Sequence, residues 1–420
     1  MTGLPLLFLG LLIAAAPGSA AERGIDLAGT VTDAGGHLLP GATVYVYTAG
    51  PRQGTSAFCP SCYVDCGKRQ TTDARGRFRL PALDRSLLFR VLTMREGFEP
   101  VFTPNVDPLQ GELRVALSKR DLSREDPQRL VTGRVLDPEG RPVAGATVEP
   151  LGYRTVDGGG DSGESPGMEA LAITDGRGEF HLRAPEPGLF ISALVQARDL
   201  SPRMVTALVS GTGRREEIRL SEGTTLTGVV RDPAGRGVPG AVVHVAPTLD
   251  RSGTFTRWQE IATGLDGRFA LPNVPADREV LVSARMDSLR EAGLATSHQA
   301  LMTGPDGTAT EGIELTAHPA AELTGRVTLG DGRPVPPGTR ISITRAETWD
   351  TQQATVGPEG RFQIRGVPVD EDLEVSLQVP GYHIASGTPG LDAHRRLVRI
   401  CAPAGQPNPT LSLALEPDGR

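Results

Sequence analysis

Three of the four cysteines fall in one stretch, Phe58-Cys59-Pro60-Ser61-Cys62-Tyr63-Val64-Asp65-Cys66-Gly67-Lys68, and the fourth is Cys401. Thiols at this spacing have three chemistries open to them. A disulfide would pin the loop and lower the entropy of the unfolded chain. The Cys59-x-x-Cys62 pair could cycle between dithiol and disulfide, although no thioredoxin-like βαβ pattern surrounds it. Three thiolates could bind a soft metal, with Asp65 the nearest candidate for a fourth ligand and no histidine close by. The structural disulfide is the expected use. The cysteine left over from one local bridge would then pair with Cys401, if copies one and four fold back on each other, or stay unbridged.

The remaining candidates for chemistry are sparse. His37, His181, His244, His298, His318, His383 and His394 show no His-Glu-x-x-His spacing. No Gly-x-Ser-x-Gly nucleophile elbow occurs. Gly158-Gly159-Gly160 is flanked by Asp157 and Asp161, so it reads as a flexible, solvated loop rather than a phosphate cradle. No catalytic constellation and no metal or cofactor motif emerges, and the expectation is a protein that is not an enzyme. Trp258 and Trp349 are the candidate stacking platforms for a sugar, with polar flanks Arg257-Gln259 and Thr348-Asp350. Burial of both as core aromatics is the expected state, and edge exposure the alternative. Tyr45 and Tyr47 alternate with Val44 and Val46, which places the tyrosines as an outward pair on one strand.

The elements that carry these residues are repeated. Leu27-Ala28-Gly29-Thr30-Val31 recurs as Val131-Thr132-Gly133-Arg134-Val135, Leu226-Thr227-Gly228-Val229-Val230 and Leu323-Thr324-Gly325-Arg326-Val327. Each is followed by a Gly turn and a return strand, as in Gly41-Ala42-Thr43-Val44 and Gly145-Ala146-Thr147-Val148. A second marker follows in the same order: Thr72-Asp73-Ala74-Arg75-Gly76-Arg77-Phe78, Thr174-Asp175-Gly176-Arg177-Gly178-Glu179-Phe180, Leu265-Asp266-Gly267-Arg268-Phe269 and Pro358-Glu359-Gly360-Arg361-Phe362. The turn glycines supply positive φ without a Cβ clash. Each copy closes on an alternating strand: Leu113, Val115 and Leu117, then Ile218 and Leu220, then Ile313 and Leu315, then Leu411, Leu413 and Leu415. Period-two alternation and about seven short strands per copy predict a two-sheet sandwich. The cysteine stretch and the segment 154–168 occupy the same variable loop in copies one and two.

A strand, a Gly turn, Pro-Gly-Ala-x-Val and then Thr-Asp-x-x-Gly-x-Phe resembles the carboxypeptidase regulatory-like domain. Gly97-Phe98 and Gly381-Tyr382 match its later Gly-aromatic step. The resemblance covers residues 25–416. It implies an all-β chain of four tandem transthyretin-like (prealbumin-like) seven-stranded β-sandwich modules, similar also to starch-binding-like and collagen-adhesin B-type folds. The expected boundaries are a signal peptide at 1–21 and modules at 22–120, 128–221, 222–318 and 319–416. Collagen-adhesin-type modules often carry a Lys–Asn isopeptide crosslink. Here the lysines are Lys68 and Lys119 alone, so an intramodule Lys crosslink is impossible in copies two to four.

Composition bounds the rest. The chain has 420 residues with 52 glycines, 35 prolines, 4% aromatic residues and a formal charge of −7. No basic stripe points to nucleic acid. Leu4 to Ala16 followed by Pro17-Gly18-Ser19-Ala20-Ala21 has the pattern of a secretory signal cleaved before Glu22. The reading that results is a secreted or periplasmic, bacterium-like, non-enzymatic scaffold or adaptor, built as a rod or a compact array with brief polar joins near 120–128, 222 and 319. Its partner would be a protein or an envelope polysaccharide. A polysaccharide-binding array is the second reading, and a redox or metal accessory acting through Cys59, Cys62 and Cys66 the third.

Overall fold

The computed structural model describes residues 24–61, 63–247 and 259–418. The signal-peptide segment, Cys62 and Trp258 therefore lie outside the described residues. The architecture is all-β, as the sequence patterning requires. Repeat one contributes β1 (Ile25–Asp33), β2 (Thr43–Pro51), β3 (Arg69–Thr71), β4 (Arg77–Leu83), β5 (Leu87–Met94), β6 (Val101–Val106) and β7 (Leu113–Leu117). One sheet has the order β4-β1-β7 and the other β3-β2-β5-β6. β1 runs antiparallel to β4 and parallel to β7, so the first and last strands of the repeat lie side by side. The same parallel closure recurs between Leu130–Leu136 and Arg215–Arg219, Thr224–Arg231 and Ala309–Pro319, and Ala321–Leu329 and Thr410–Pro417.

The sheets pair off around separate apolar cores. Leu27, Val31, Val44, Val46, Phe78, Leu80, Val115 and Leu117 meet in the first. Val131, Phe180, Ile191 and Ile218 belong to the second, Leu226, Phe269, Val282 and Ile313 to the third, and Leu323, Phe362, Val375 and Leu413 to the fourth. Most are alternating positions of the marker, return and closing strands; Ile191, Val282 and Val375 come from the strand that follows the second marker. Burial of each such large side chain is worth about 1.5–3 kcal/mol.

The sequence markers have direct physical roles. Gly36, Gly140, Gly235 and Gly332 have φ of 83°, 82°, 78° and 76°, the left-handed conformation their turns need. In the second marker Thr72 Oγ1 accepts the Ala42 N–H at 2.8 Å and donates to the Leu39 carbonyl at 2.7 Å. Thr174 and Thr263 make the same two-sided bond to Ala146 and Val143, and to Ala241 and Val238. Asp73 Oδ1 then accepts from the N–H groups of Arg75 and Arg77, and Asp175 Oδ1 from those of Arg177 and Glu179. One hydroxyl thus ties two loops, and one carboxylate sets the turn into the Phe strand.

The repeats form a compact closed array rather than a rod. Repeat four returns to repeat one: Thr55 Oγ1 donates to the Gln378 carbonyl at 2.6 Å, and the Arg340 N–H to the Thr55 carbonyl at 3.0 Å. Gln353 Nε2 donates to Ser56 Oγ at 2.8 Å, and Gly54 and Gly338 bring their backbones together there. The Gly-rich segment of repeat two, expected to be a loose loop, is instead a short hairpin: Gly160–Ser162 pairs with Gly152–Arg154.

Candidate functional site

The cysteine loop is held as a lid over the first core. Phe58 packs edge-on against Tyr63 with ring centroids 4.9 Å apart, and Tyr63 is buried in the core. Asp65 is buried, with Lys68 Nζ at 2.6 Å and the Asp84 N–H donating to its other oxygen at 2.8 Å. Lys68 Nζ also donates to the Ala82 carbonyl at 2.8 Å. Cys66 Sγ donates to the Pro60 carbonyl at 3.3 Å, and Cys59 is exposed.

No disulfide joins Cys59, Cys66 and Cys401 to one another. Repeats one and four do meet, yet Cys401 remains a free, exposed thiol. It pairs in register with Asp372, whose strand neighbour Leu373 lies opposite Arg345. Repeat one instead meets the Arg340 end of that sheet. Folding back therefore does not deliver Cys401 to the loop. Among the described residues no group of three or more His, Cys, Asp or Glu side chains is placed to hold a metal ion.

The junctions between repeats differ in what they bury. Between repeats one and two, Tyr45, Tyr47, Leu92, Met94 and Leu171 form an apolar cluster of their own. The tyrosines do point away from core one, and repeat two covers them. Arg90 lies over the Phe102 ring at 3.7 Å and pairs with Glu164. At the join itself Arg120 grips Glu125 at 2.6 Å and Glu169 at 2.9 Å. Burial raises the Glu169 carboxyl above its ordinary pKa despite Arg120 beside it. The second join is slighter: Asn273 Nδ2 donates to the carbonyls of Asp199 and Glu222 at 3.0 and 2.9 Å.

Repeats three and four meet through an ionic core. Arg345 is 1% exposed and Asp350 fully buried. Arg345 Nε lies 3.1 Å from Glu371, and its guanidinium donates to the Thr296 carbonyl. The Met286 N–H donates to Asp350 Oδ2 at 2.8 Å, and the His298 N–H to Glu371 Oε1 at 3.1 Å. The His298 ring lies between Glu371 and Glu347, at 3.4 and 3.3 Å. Hydrogen bonding to Glu371 raises the His298 pKa. His244 is fully buried nearby, and burial pushes its pKa down to about 3, with Arg285 and Arg345 acting the same way.

Trp349 corrects an expectation. It is 46% exposed, not in a core, and sits at φ 58° in the turn between Arg340–Arg345 and Thr351–Thr355. The polar flanks took the inward places instead: Thr348 and Asp350 are buried, because Arg345 is buried there and requires a carboxylate. Sequence spacing could not announce this ionic core, since Met286 and Thr296 come from repeat three and Arg345, Asp350 and Glu371 from repeat four.

Where repeats one, three and four converge, a cleft of about 530 Å³ opens. Phe58, Tyr63 and Lys68 of the cysteine loop line it, together with Arg85, Arg290, Arg340 and Gln352.

No family model matches the chain, and no curated protein matches it either. The carboxypeptidase regulatory-like likeness therefore remains a likeness of motifs. Solved structures do match. The minor pilin of Streptococcus agalactiae aligns at 11% identity over 47% of this chain and 98% of its own, with a TM-score of 0.25. A streptococcal ancillary pilin aligns at 10% identity over 69% and 100%, also with a TM-score of 0.25. The Bacillus anthracis TIE protein aligns at 10% identity over 90% and 69%, with a TM-score of 0.19. At these scores the likeness carries no functional argument, and the sandwich architecture rests on the sheets themselves. No helix among the described residues is long and apolar enough to cross a membrane.

Proposed function

We propose that this chain is an exported, non-enzymatic scaffold: four sandwiches, bounded at 22–120, 128–221, 222–318 and 319–416, that present their loops to a protein partner or an envelope component. The observation that carries the reading is closure. Residues as distant in sequence as Thr55 and Gln378 are hydrogen-bonded, and a buried ionic core is invested in the junction of repeats three and four. Such contacts fix the relative positions of the variable loops, which is what a presenting surface needs and what a flexible string of modules lacks. The signal-like N-terminus supplies the extracytoplasmic placement. Crosslinking of the tagged protein in its native cells, followed by mass spectrometry, tests the reading. One dominant protein with crosslinks mapping to these loops supports it. Recovery of neither a protein nor an envelope component crosslinked to these loops sinks it.

The exposure of Trp349 favours a second reading, polysaccharide binding by aromatic stacking. Retention of the protein on envelope glycan that survives Trp349→Ala unchanged excludes that residue as the platform.

A further inference from the structure

The cleft shared by repeats one, three and four holds more positive charge than its own carboxylates neutralise. Its charged lining is Lys68, Arg85, Arg285, Arg290 and Arg340 against Asp65, Asp84 and Asp287. Two of the three carboxylates are matched by a cation, Arg285 being paired also with Glu260 at 3.1 Å outside the lining, and Asp84 keeps its charge. Asp65 holds Lys68 at 2.6 Å, Asp287 faces Arg285 at 3.3 Å, and Asp84 accepts the N–H and hydroxyl of Ser86 at 2.8 and 2.7 Å. Arg340 donates only to neutral groups, Ser86 Oγ at 2.7 Å and Gln353 Oε1 at 3.4 Å. Arg290 faces the exposed Glu291 at 3.4 Å, a pair that solvent weakens. The Arg85 guanidinium has no carboxylate partner among the described residues.

A second, independent feature points to the same place. Gln352 lines the cleft and is 4% exposed. Its Nε2 donates to the carbonyls of Arg365 and Gly366 at 3.1 and 3.2 Å, which fixes the amide's orientation. Its Oε1 is then left as a buried acceptor with no hydrogen bond. Such a group destabilises the fold unless something donates to it. The surplus guanidinium groups favour an anion, and Gln352 Oε1 lacks a donor. A neutral sugar meets only the second need, and a fully ionised inorganic anion such as sulfate, which has no O–H, only the first.

We propose that the cleft binds an acidic sugar unit, with its carboxylate against Arg85, Arg290 and Arg340 and a ring hydroxyl donating to Gln352 Oε1. Forked guanidinium groups match a carboxylate in shape as well as charge. The site rests on neither reading of the scaffold: it stands or falls on the cleft alone.

The test is calorimetric titration of the purified protein with an oligogalacturonate, the matching neutral galactose oligomer and inorganic sulfate. Saturable binding of the oligogalacturonate is expected, weakening as salt rises, with the other two probes at least about tenfold weaker, a difference of about 1.4 kcal/mol. Arg85 and Arg290 are exposed, so the double variant Arg85→Ala/Arg290→Ala should keep the wild-type melting temperature and lose about tenfold in affinity. Gln352→Met should weaken the acidic sugar while leaving sulfate binding where it was. Absence of saturable oligogalacturonate binding overturns the proposal. So does sulfate binding as tightly as the sugar, or an unchanged affinity in the folded double variant.

Discussion

The Phe78 ring fills the space in which a side chain on Gly29 would stand. A Cβ at Gly29 would fall 2.5 Å from Phe78 Cζ and 2.1 Å from the Leu113 carbonyl oxygen. The two residues face each other across the β1–β4 register, and the pair recurs as Gly133 with Phe180, Gly228 with Phe269 and Gly325 with Phe362. The glycine of the first marker and the phenylalanine of the second are thus the two halves of one contact. The strand carrying the glycine lies between two others, so a larger residue has no free side to move toward.

Gly325→Ala should therefore destabilise its repeat by about 1–3 kcal/mol, because the new Cβ meets Leu411 backbone oxygen as well as the Phe362 ring. Phe362→Ala should cost more, about 3–5 kcal/mol. Urea unfolding followed by circular dichroism measures both. An unchanged midpoint for Gly325→Ala would show that the strand can shift to admit a side chain.

The first join should depend on Arg120. Arg120→Met leaves Glu169 buried without its cation, a loss of about 3–5 kcal/mol at neutral pH. Glu169 already has a raised pKa from burial, so its neutral form is the better tolerated one. The deficit should shrink on acidification and be partly recovered by adding Glu169→Gln. By contrast Arg79→Ala, which removes an exposed partner of Asp26, should leave stability nearly unchanged. Denaturant midpoints for these variants at two pH values decide the matter.

Two histidines at the junction of repeats three and four give opposite pH dependence. The folded pKa of His244 is depressed to about 3 from 6.5. Its stabilising effect is complete above the unfolded pKa and is lost as pH falls from about 6.5 toward 3, on the order of a few kcal/mol. The pKa of His298 is raised, so its contribution is complete below the unfolded pKa and is lost as pH rises through the folded value. His244→Leu should flatten the acid limb of the melting-temperature profile. His298→Gln should flatten the limb just above the ordinary histidine range. Profiles superimposable on wild type would remove these residues from the linkage.

Closure should be separable from folding. A Cβ at Gly338 would lie 2.5 Å from the Gln53 carbonyl oxygen, and φ there is 76°. Gly338→Val should push repeat four off repeat one. Small-angle scattering would then give a larger radius of gyration with the circular dichroism spectrum unchanged. An unaltered radius would mean that the junction of repeats three and four holds the array closed unaided.

The sequence by itself determined the all-β class, the recurrence of the markers, the strands that bury Phe78, Leu80, Val115 and their counterparts, and the turns set by glycine and aspartate. These depend on local alternation and local backbone geometry, which the order of residues encodes directly. Only the tertiary structure decided that the array closes, that Trp349 faces outward, that Cys401 stays away from the cysteine loop, and that Tyr45 and Tyr47 are covered by the neighbouring repeat. Those outcomes turn on contacts between repeats. The residues that make them, such as Arg345 with Thr296 or Arg340 with Thr55, share no local pattern. The cost of burying a guanidinium or an amide is met only when a distant partner arrives.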